Sequence, residues 1–400
     1  MDGLKKTRIN FSIMATESKY IPYGTQWIDE NDIEAVVRVL RSGYLTQGPQ
    51  VSAFERKIAD YVDAQWCVAF SSATAALHCA VAALGIAEGG AGVTSTNTFV
   101  ASANCLAMNR LRPMFADIDP VTFNVTASSI KKVVDPTVKV LIPVHFAGQP
   151  CDMSTIASLA SEKNIAVIED AAHAIGSNYP DGSRVGNCKY SDMTVFSFHP
   201  VKTITTGEGG AVTTNSRSLY NRLQLLRSHG ITKDRDLLRH NPGPWYYEQQ
   251  ALGFNYRITD LQCTLGIRQL EKLEAFKRRR REIIATYNES FSAVEKVKIP
   301  NQSTGSDPCF HLYVLQMDFA AMGKSRAEVM EELNQLGVGT QVHYIPVHSQ
   351  PWYQETYGYR WGDYPLAEAY YERALSLPLY PKMTDTDVNT VIQSVREVVG

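Results

Sequence analysis

The feature that most constrains the fold is an alternation of apolar, β-rich runs with helix-like segments in the first half of the chain. A run from Val138 to Phe146 is followed by a helix-like stretch from Cys151 to Lys163. Further apolar runs cover Ile165 to Ile168 and Met193 to Phe198. Strands that alternate with helices are typical of a sheet that is buried on both faces. The pattern therefore predicts a layered α/β architecture.

The 400 residues are 44% hydrophobic, which is enough for a large core and for one or two domains. Apolar residues at helical spacing predict helices over residues 29–41 and 51–62. The composition changes after Asp260, where a long helix is expected to reach about Phe291. Beyond it we expect strands at 311–317 and 339–345 and helices at 326–336 and 387–399. The domain prediction is a flexible N-terminal arm (1–18), a large domain (19–260) and a smaller C-terminal domain (261–400).

Charge and cysteine usage exclude several classes of protein. The formal net charge is only -2, and the one basic run, Lys277 to Arg281, is flanked by glutamates and reads as a solvated helix face. Seven scattered cysteines without CxxC spacing argue against a disulfide framework and a zinc site. No run approaches 18 apolar residues, and no signal peptide is recognisable. We expect a cytoplasmic protein without metal, nucleic-acid or membrane partners.

The densest chemical signal is the segment Ser197 to Gly210, with the sequence SFHPVKTITTGEGG. A strand ends there, and Lys202 follows in a turn that is rich in small residues. Desolvation in such a turn lowers the pKa of a lysine, so that its amine can attack an aldehyde. A lone lysine is far more often a solvated surface charge. The flanking glycines and the hydroxyls of Ser197 and Thr206, which could reach a phosphate, favour the functional interpretation here.

Asp170 lies at the end of another apolar strand, in the segment VIEDAAHA. Ligands gather at the carboxyl ends of strands in open α/β sheets, and a carboxylate there can pair with a protonated pyridine nitrogen. His173 follows one turn later and could meet other substituents of such a ring. Taken alone, Asp170 could equally well cap the next helix.

Two further segments fit an anionic, flat ligand. Small hydroxyl residues, Ser71 to Thr74, begin a helix directly after a strand, and a helix N-terminus binds anions readily. An ordinary helix cap is the alternative interpretation of that segment. Phe99, in Asn97-Thr98-Phe99, could stack on a ring, although a single phenylalanine is more often part of a core.

The order of these elements resembles that of the DegT/DnrJ-type sugar aminotransferases, which are fold-type I enzymes with an aspartate-aminotransferase-like fold. The similarity extends from about Ile21 to the C-terminus. The stretches FSFHPVKTITTGEGGAV, PVHFAGQPCDM, LRSHGIT, PWYYEQQALGFNYRITD and QVHYIPVH resemble the branch that aminates UDP-linked 4-keto sugars in pseudaminic acid biosynthesis. The resemblance implies a large mixed-sheet α/β/α domain and a smaller C-terminal α+β domain.

The resemblance also implies pyridoxal 5'-phosphate as cofactor and L-glutamate and a nucleotide-linked keto sugar as substrates. It assigns Lys202 to the catalytic Schiff-base lysine and Asp170 to the partner of the pyridine nitrogen. The other implied cofactor contacts are Ser72, Ala73, Thr74, Phe99, His173, Ser197 and Asn255. Asn255 is implied to reach the cofactor phosphate of the other subunit, in a homodimer. Weaker matches to the substrate cleft are Tyr23, Thr46, His199, His229, Tyr256, His343 and His348.

Other functions fit parts of the pattern. A dehydratase or cysteine desulfurase would use the same cofactor, but relatives that act as dehydratases have histidine in place of Lys202, and no cysteine lies in an obviously electropositive loop. A regulatory protein that retains the fold would usually carry an added DNA-binding module, and the segment before Ile21 leaves no room for one. Residue chemistry does not select the sugar, the aminated carbon (C3 or C4) or the nucleotide (UDP, GDP or dTDP).

Overall fold

A seven-stranded sheet organises the first half of the chain in the computed structural model, which describes residues 20–301 and 305–400. Its strands are β1 (Trp66–Phe70), β2 (Ala91–Ser95), β3 (Arg112–Ala116), β4 (Val138–Ile142), β5 (Ala166–Asp170), β6 (Met193–Ser197) and β7 (Gly210–Thr214). The order in the sheet is β1-β7-β6-β5-β4-β2-β3. β7 runs antiparallel to both of its neighbours, and the other pairs are parallel. The sheet is therefore mixed, as expected.

Helices cover both faces of this sheet. They are α1 (Glu30–Leu40), α2 (Pro49–Val62), α3 (Ala73–Leu84), α4 (Ala101–Met108), α5 (Ala127–Lys131), α6 (Met153–Lys163), α7 (Arg217–Arg227) and α8 (Asp260–Glu271). Alternate strand residues enter two cores: Val167 packs with residues of α2, α6 and α8, whereas Ile168 packs with residues of α3, α4 and α7. A strand places successive side chains on opposite faces, so burial on both sides yields three layers, α/β/α.

The C-terminal part forms a separate core around a three-stranded antiparallel sheet. A two-stranded hairpin, β8 (Ile231–Thr232) and β9 (Glu248–Gln249), precedes it in the chain. The helices of the C-terminal part are α9 (Leu273–Phe291), α10 (Phe319–Met322), α11 (Arg326–Gln335), α12 (Pro351–Tyr357), α13 (Pro365–Arg373) and α14 (Asp385–Val399). The strands β10 (Val297–Lys298), β11 (Tyr313–Met317) and β12 (Ala374–Leu377) pair in that order. α9 links the two cores, because Phe276 packs in the first and Ile283 in the second.

Two elements differ from the prediction. The expected single helix from Asp260 to Phe291 is two helices that meet at Lys272, whose ammonium is bound by Asp29 and Asp32 at the start of α1. The expected strand over 339–345 is wrong: the segment makes only one isolated bridge, between Gln341 and Ser376. The backbone N–H of Tyr344 instead donates, at 3.4 Å, to the side chain of Asn97, which follows β2 in the large sheet.

The domain limits at 18 and 260 stay predictions, and the predicted arm (1–18) lies outside the described residues. All seven cysteines are buried and have free thiols. None of the helices within residues 20–301 and 305–400 has both the length and the apolar character that crossing a bilayer requires.

Candidate active site

A cavity of about 330 Å³ lies where β5 and β6 end and α3 begins, and the C-terminal half of the chain closes one side of it. Eleven of the residues proposed from the sequence line this cavity: Tyr23, Ser72, Ala73, Thr74, Phe99, Asp170, His173, Ser197, His199, Lys202 and His343. They come from separate strands, turns and both halves of the chain. The fold therefore brings together groups that the sequence keeps far apart.

Lys202 lies in the loop that joins β6 to β7. The loop is held by its own backbone: the N–H of Lys202 donates to His199 (2.8 Å), and Phe198 exchanges bonds with Gly209 and Thr206. Desolvation is the larger effect and lowers the pKa of Lys202 from 10.5 to about 8. The negative charge of Asp170 acts in the opposite direction and raises the pKa of Lys202. With this pKa, about a tenth of the Lys202 amine is neutral at pH 7, so Lys202 is prepared for nucleophilic attack.

Asp170 ends β5, and its carboxylate is fixed by one donor on each oxygen. The hydroxyl of Ser102 donates to Oδ2 at 2.6 Å, and the backbone N–H of Ala172 donates to Oδ1 at 3.1 Å. The two bonds fix the plane of the carboxylate at the cavity wall. A carboxylate accepts about four hydrogen bonds, so Asp170 retains capacity for a cationic partner in the cavity.

The preceding carboxylate, Glu169, is fully buried on the other side of the sheet. It accepts bonds from His145 (2.7 Å) and from the hydroxyls of Tyr179, Ser191 and Thr194. Burial favours a raised pKa, but these donors outweigh it and lower the pKa of Glu169. Glu169 is thus a buried structural carboxylate that does not line the cavity.

The start of α3 forms the anion-binding side of the cavity. Ser72 caps the helix and accepts a bond from the N–H of Ala75, while the first-turn residues Ala73 and Thr74 line the cavity. Gly210 of β7 lies directly beneath, where a Cβ would come within 2.6 Å of the backbone N and Cα of Ala73. A side chain at 210 would displace the helix start. The unpaired N–H groups of a first turn and the helix dipole suit a phosphate.

Three histidines around the cavity are held in their neutral form. Burial, followed by the charge of Lys202, lowers the pKa of His343 to about 3 and depresses the pKa of His173 and of His311 well below the usual value. His173 contacts the hydroxyl of Tyr344 at 3.0 Å. Near Lys202 these rings can therefore serve as hydrogen-bonding groups that add no positive charge.

The remaining cavity residues lie at its edge. Phe99 is 57% exposed and lies across from Tyr344, with 6.3 Å between the ring centroids. An aromatic ring exposed at a cavity mouth suits stacking on a flat ligand. Tyr23 packs against His343, and His199 is exposed. Ser197 is buried at the end of β6 and faces the cavity.

Five proposed residues do not line this cavity: Thr46, His229, Asn255, Tyr256 and His348. Thr46 pairs with Thr259. The N–H of His229 donates to the carbonyl of Phe254, and Asn255 and Tyr256 follow Phe254 in the same strip, residues 254–259. His229 and Asn255 are exposed, whereas Tyr256 contacts His78 at 3.2 Å. This strip is therefore available to another molecule.

His348 is fully buried and both of its ring nitrogens are engaged, with Thr96 at 2.6 Å and Glu368 at 2.8 Å. No ring nitrogen is left for a substrate, so the geometry gives His348 a positioning role. Thr206, considered above for phosphate contact, donates instead to the carbonyl of Glu208 at 2.6 Å.

Sequence reasoning missed several polar residues of the site, among them Ser102, His311 and Tyr344. Ser102 holds Asp170 from α4, and His311 and Tyr344 line the cavity from the second half of the chain. Tyr344 lies within the quoted stretch QVHYIPVH, so that segment was the available signal. Ser102 and His311 have no local motif, because their partners lie far away in sequence.

The arrangement fits pyridoxal phosphate by the chemistry of its donor groups. A lysine with a depressed pKa suits its aldehyde, a fixed carboxylate suits its ring nitrogen, a helix start suits its phosphate, and Phe99 suits its ring face. No group of three or more histidine, cysteine or acidic side chains in the described part of the chain is arranged to hold a metal ion.

The sequence is similar to those of known proteins over most of its length. The spore coat polysaccharide biosynthesis protein SpsC of Bacillus subtilis is 40% identical over 381 residues, which are 95% of this chain and 97% of SpsC. An uncharacterised protein of Methanocaldococcus jannaschii is 39% identical over 381 residues, 95% of this chain and 98% of its own.

Two solved structures are similar over the whole fold. Helicobacter pylori PseC, an aminotransferase involved in the biosynthesis of pseudoaminic acid, has a TM-score of 0.88 and 28% identity, covering 95% of this chain and 99% of its own. The PLP form of Spr1654 from Streptococcus pneumoniae has a TM-score of 0.87 and 29% identity, covering 95% of this chain and 98% of its own. The sequence itself matches the family profile over residues 26–396. The chain therefore belongs to the DegT/DnrJ/EryC1/StrS aminotransferase family and is a sugar aminotransferase that depends on pyridoxal phosphate.

Proposed function

We propose that this enzyme transfers an amino group from L-glutamate to C4 of a UDP-linked 4-keto-6-deoxy-N-acetylhexosamine. The product would be UDP-4-amino-4,6-dideoxy-N-acetyl-β-L-altrosamine, in the pseudaminic acid pathway and in the cytoplasm. The similarity to PseC supports this choice. The alternative is a C3 or C4 aminotransferase for a dTDP- or GDP-linked keto sugar, and the higher identity to SpsC, a spore coat polysaccharide protein, favours testing it.

The observation that carries the reaction type is that Lys202 and Asp170 line the same cavity and interact electrostatically. When bound there, pyridoxal phosphate supplies an electron sink for the carbanion of the amino-group donor. The neutral amine of Lys202 would hold the cofactor through its aldehyde. When that amine is free, Lys202 Nζ would be the base that removes the proton from the donor's Cα.

The other residues orient the reactants. Asp170 keeps the ring nitrogen protonated through a charged hydrogen bond. The start of α3, with Ser72, Ala73 and Thr74, and the hydroxyl of Ser197 hold the phosphate, and Phe99 covers the ring. His173, whose ring nitrogens are held by the N–H of Ala147 and the hydroxyl of Tyr344, would lie beside the ring. Tyr23, His199 and His343 lie where the sugar would enter.

We further propose a homodimer in which Asn255 reaches the cofactor phosphate of the other subunit. Asn255 is exposed and lies outside the cavity of its own chain, as this role requires. Thr46, His229 and Tyr256 lie on neighbouring segments and would meet the partner's substrate. Light scattering on the purified protein tests the dimer. Mixing inactive Lys202→Ala chains with Asn255→Ala chains tests the shared site, because only a mixed dimer contains one complete site.

The substrate is tested by offering UDP-, dTDP- and GDP-linked keto sugars, as 3-keto and 4-keto forms, with glutamate. We expect turnover with the UDP-linked 4-keto sugar, and NMR of the product should place the amine on C4. Preference for another nucleotide, or an amine on C3, would select the alternative. Lys202→Ala should lose turnover and the visible absorbance of lysine-bound cofactor, whereas Lys132→Ala, an exposed lysine, should retain both.

A further inference from the structure

A buried serine outside the proposed cofactor contacts holds the carboxylate of Asp170. Ser102, in the first turn of α4, is fully buried, and its Oγ lies 2.6 Å from Asp170 Oδ2. The same Oγ lies 2.7 Å from the hydroxyl of Thr98, which itself faces the cavity. Asp170 and Ser102 are 68 residues apart, so the contact exists only in the folded chain.

The direction of these bonds follows from the number of protons. An ionised carboxylate only accepts, so Ser102 must donate its single hydroxyl proton to Asp170. The short bond to Thr98 then requires that Thr98 donates to Ser102. The result is a directed chain, Thr98 to Ser102 to Asp170, that ends on the carboxylate. Bonds in such a buried chain polarise one another and strengthen the last one.

The same turn also places the aromatic ring at the cavity mouth. The backbone N–H of Ser102 donates to the carbonyl of Phe99 at 3.2 Å, which ties the helix start to the residue that precedes it by one turn. One short segment therefore sets both the aromatic side chain and the donor to Asp170. A ligand ring would meet its stacking face and its nitrogen partner in a fixed relative position.

We propose that Ser102, supported by Thr98, is a positioning residue that acts through Asp170 to keep the ring nitrogen of the cofactor protonated. The inference rests on the proposed role of Asp170. Its physical basis is that the donor of Ser102 stabilises negative charge on Oδ2 and aims the carboxylate into the cavity. A hydrogen bond to a charged group is among the stronger ones in a protein interior.

The test uses the full chain loaded with pyridoxal phosphate labelled with ¹⁵N in the ring, since the nitrogen chemical shift reports its protonation. Four forms are compared: wild type, Ser102→Ala, Ser102→Thr and Asp170→Asn. In Ser102→Ala we expect the ring nitrogen to lose its proton at a lower pH than in the wild type. Cofactor affinity should fall on the order of tenfold. Ser102→Thr, which retains the hydroxyl, should restore both values toward the wild type.

The outcomes separate this inference from the proposed function. If Asp170→Asn changes the nitrogen titration and Ser102→Ala does not, the positioning role is refuted while the role of Asp170 stands. If Asp170→Asn changes nothing, the role of Asp170 fails and the inference fails with it. If Ser102→Thr behaves like Ser102→Ala, with apo-protein melting temperatures equal to the wild type, the hydroxyl is not responsible and the inference is overturned.

A second variant covers the case in which Ser102→Ala does not fold. Thr98→Val removes the outer donor and leaves Ser102 in place. We expect a shift of the nitrogen titration in the same direction but smaller than for Asp170→Asn. An unchanged titration in a folded Thr98→Val protein would refute the chain of donors.

Discussion

The charge on Lys202 should destabilise the cofactor-free protein, because burial removes water from the ammonium group. The pKa of Lys202 is lowered from 10.5 to about 8, with desolvation as the main cause. Between these two values the unfolded chain binds a proton that the folded chain does not. Stability should therefore rise with pH from about 8 towards 10.5, and the destabilisation should be fully present below pH 8.

The magnitude follows from the pKa. A tenfold change in a protonation equilibrium corresponds to about 1.4 kcal/mol, so lowering the pKa from 10.5 to about 8 costs about 3 kcal/mol at pH 7. Lys202 is half-buried, and solvent in the cavity screens its charge. We therefore expect a measurable effect on the order of 2 kcal/mol. Lys202→Met removes the charge, keeps the length of the side chain, and should stabilise the apo protein by this amount.

The assay is urea denaturation of apo wild type and Lys202→Met at several values between pH 7 and pH 10. The advantage of the variant should be largest at pH 7 and shrink steadily above pH 8. Lys132→Met, at an exposed lysine, should show no such dependence. A variant that is less stable than the wild type at pH 7, or a difference that does not change with pH, would refute the argument that burial lowers the pKa of Lys202.

Three further predictions concern neighbouring groups. Gly210→Ala should weaken cofactor binding in equilibrium titrations, because its Cβ would lie 2.6 Å from backbone atoms of Ala73; Gly43→Ala, with open space around it, is the control and should bind normally. Phe99→Ala should weaken cofactor binding severalfold without lowering the apo melting temperature, since Phe99 is 57% exposed. Glu169→Gln should lose about 2 kcal/mol at pH 7, measured by urea denaturation. The loss of stability in Glu169→Gln should become smaller as the pH falls below 4.5, because the wild type then loses the stabilisation that its ionised Glu169 provides above that pH. A loss of stability that does not depend on pH would contradict this.

Local sequence patterns were sufficient to predict much of the site. Lys202 follows a strand in a turn of small residues, Asp170 ends an apolar strand, and Ser72 begins a helix directly after another strand. Each of these is a feature of a few consecutive residues. Strand ends meet at one edge of a sheet, so the predicted strands allow these groups to meet, but the order of the segments and the family resemblance were needed to assign them to one site.

Contacts between distant segments could not be predicted in this way. Ser102 reaches Asp170 across 68 residues, and Tyr344 reaches His173 across 171. The residues 339–345 have the composition of a strand, but their pairing is confined to the bridge between Gln341 and Ser376, and the N–H of Tyr344 donates to Asn97. Propensity describes the local preference of a segment, and tertiary contacts override it here.

The neighbouring acids Glu169 and Asp170 differ in how far their carboxylates are satisfied by the protein. Strand geometry places them on opposite faces, but it does not decide which face is functional. Glu169 accepts bonds from four side chains, which fill the capacity of a carboxylate, and burial excludes any ligand. Asp170 accepts only two in the described part of the chain, both from donors that fix its orientation, and it faces a cavity. The remaining capacity of its carboxylate faces the cavity, where the proposed cationic ring nitrogen would bind.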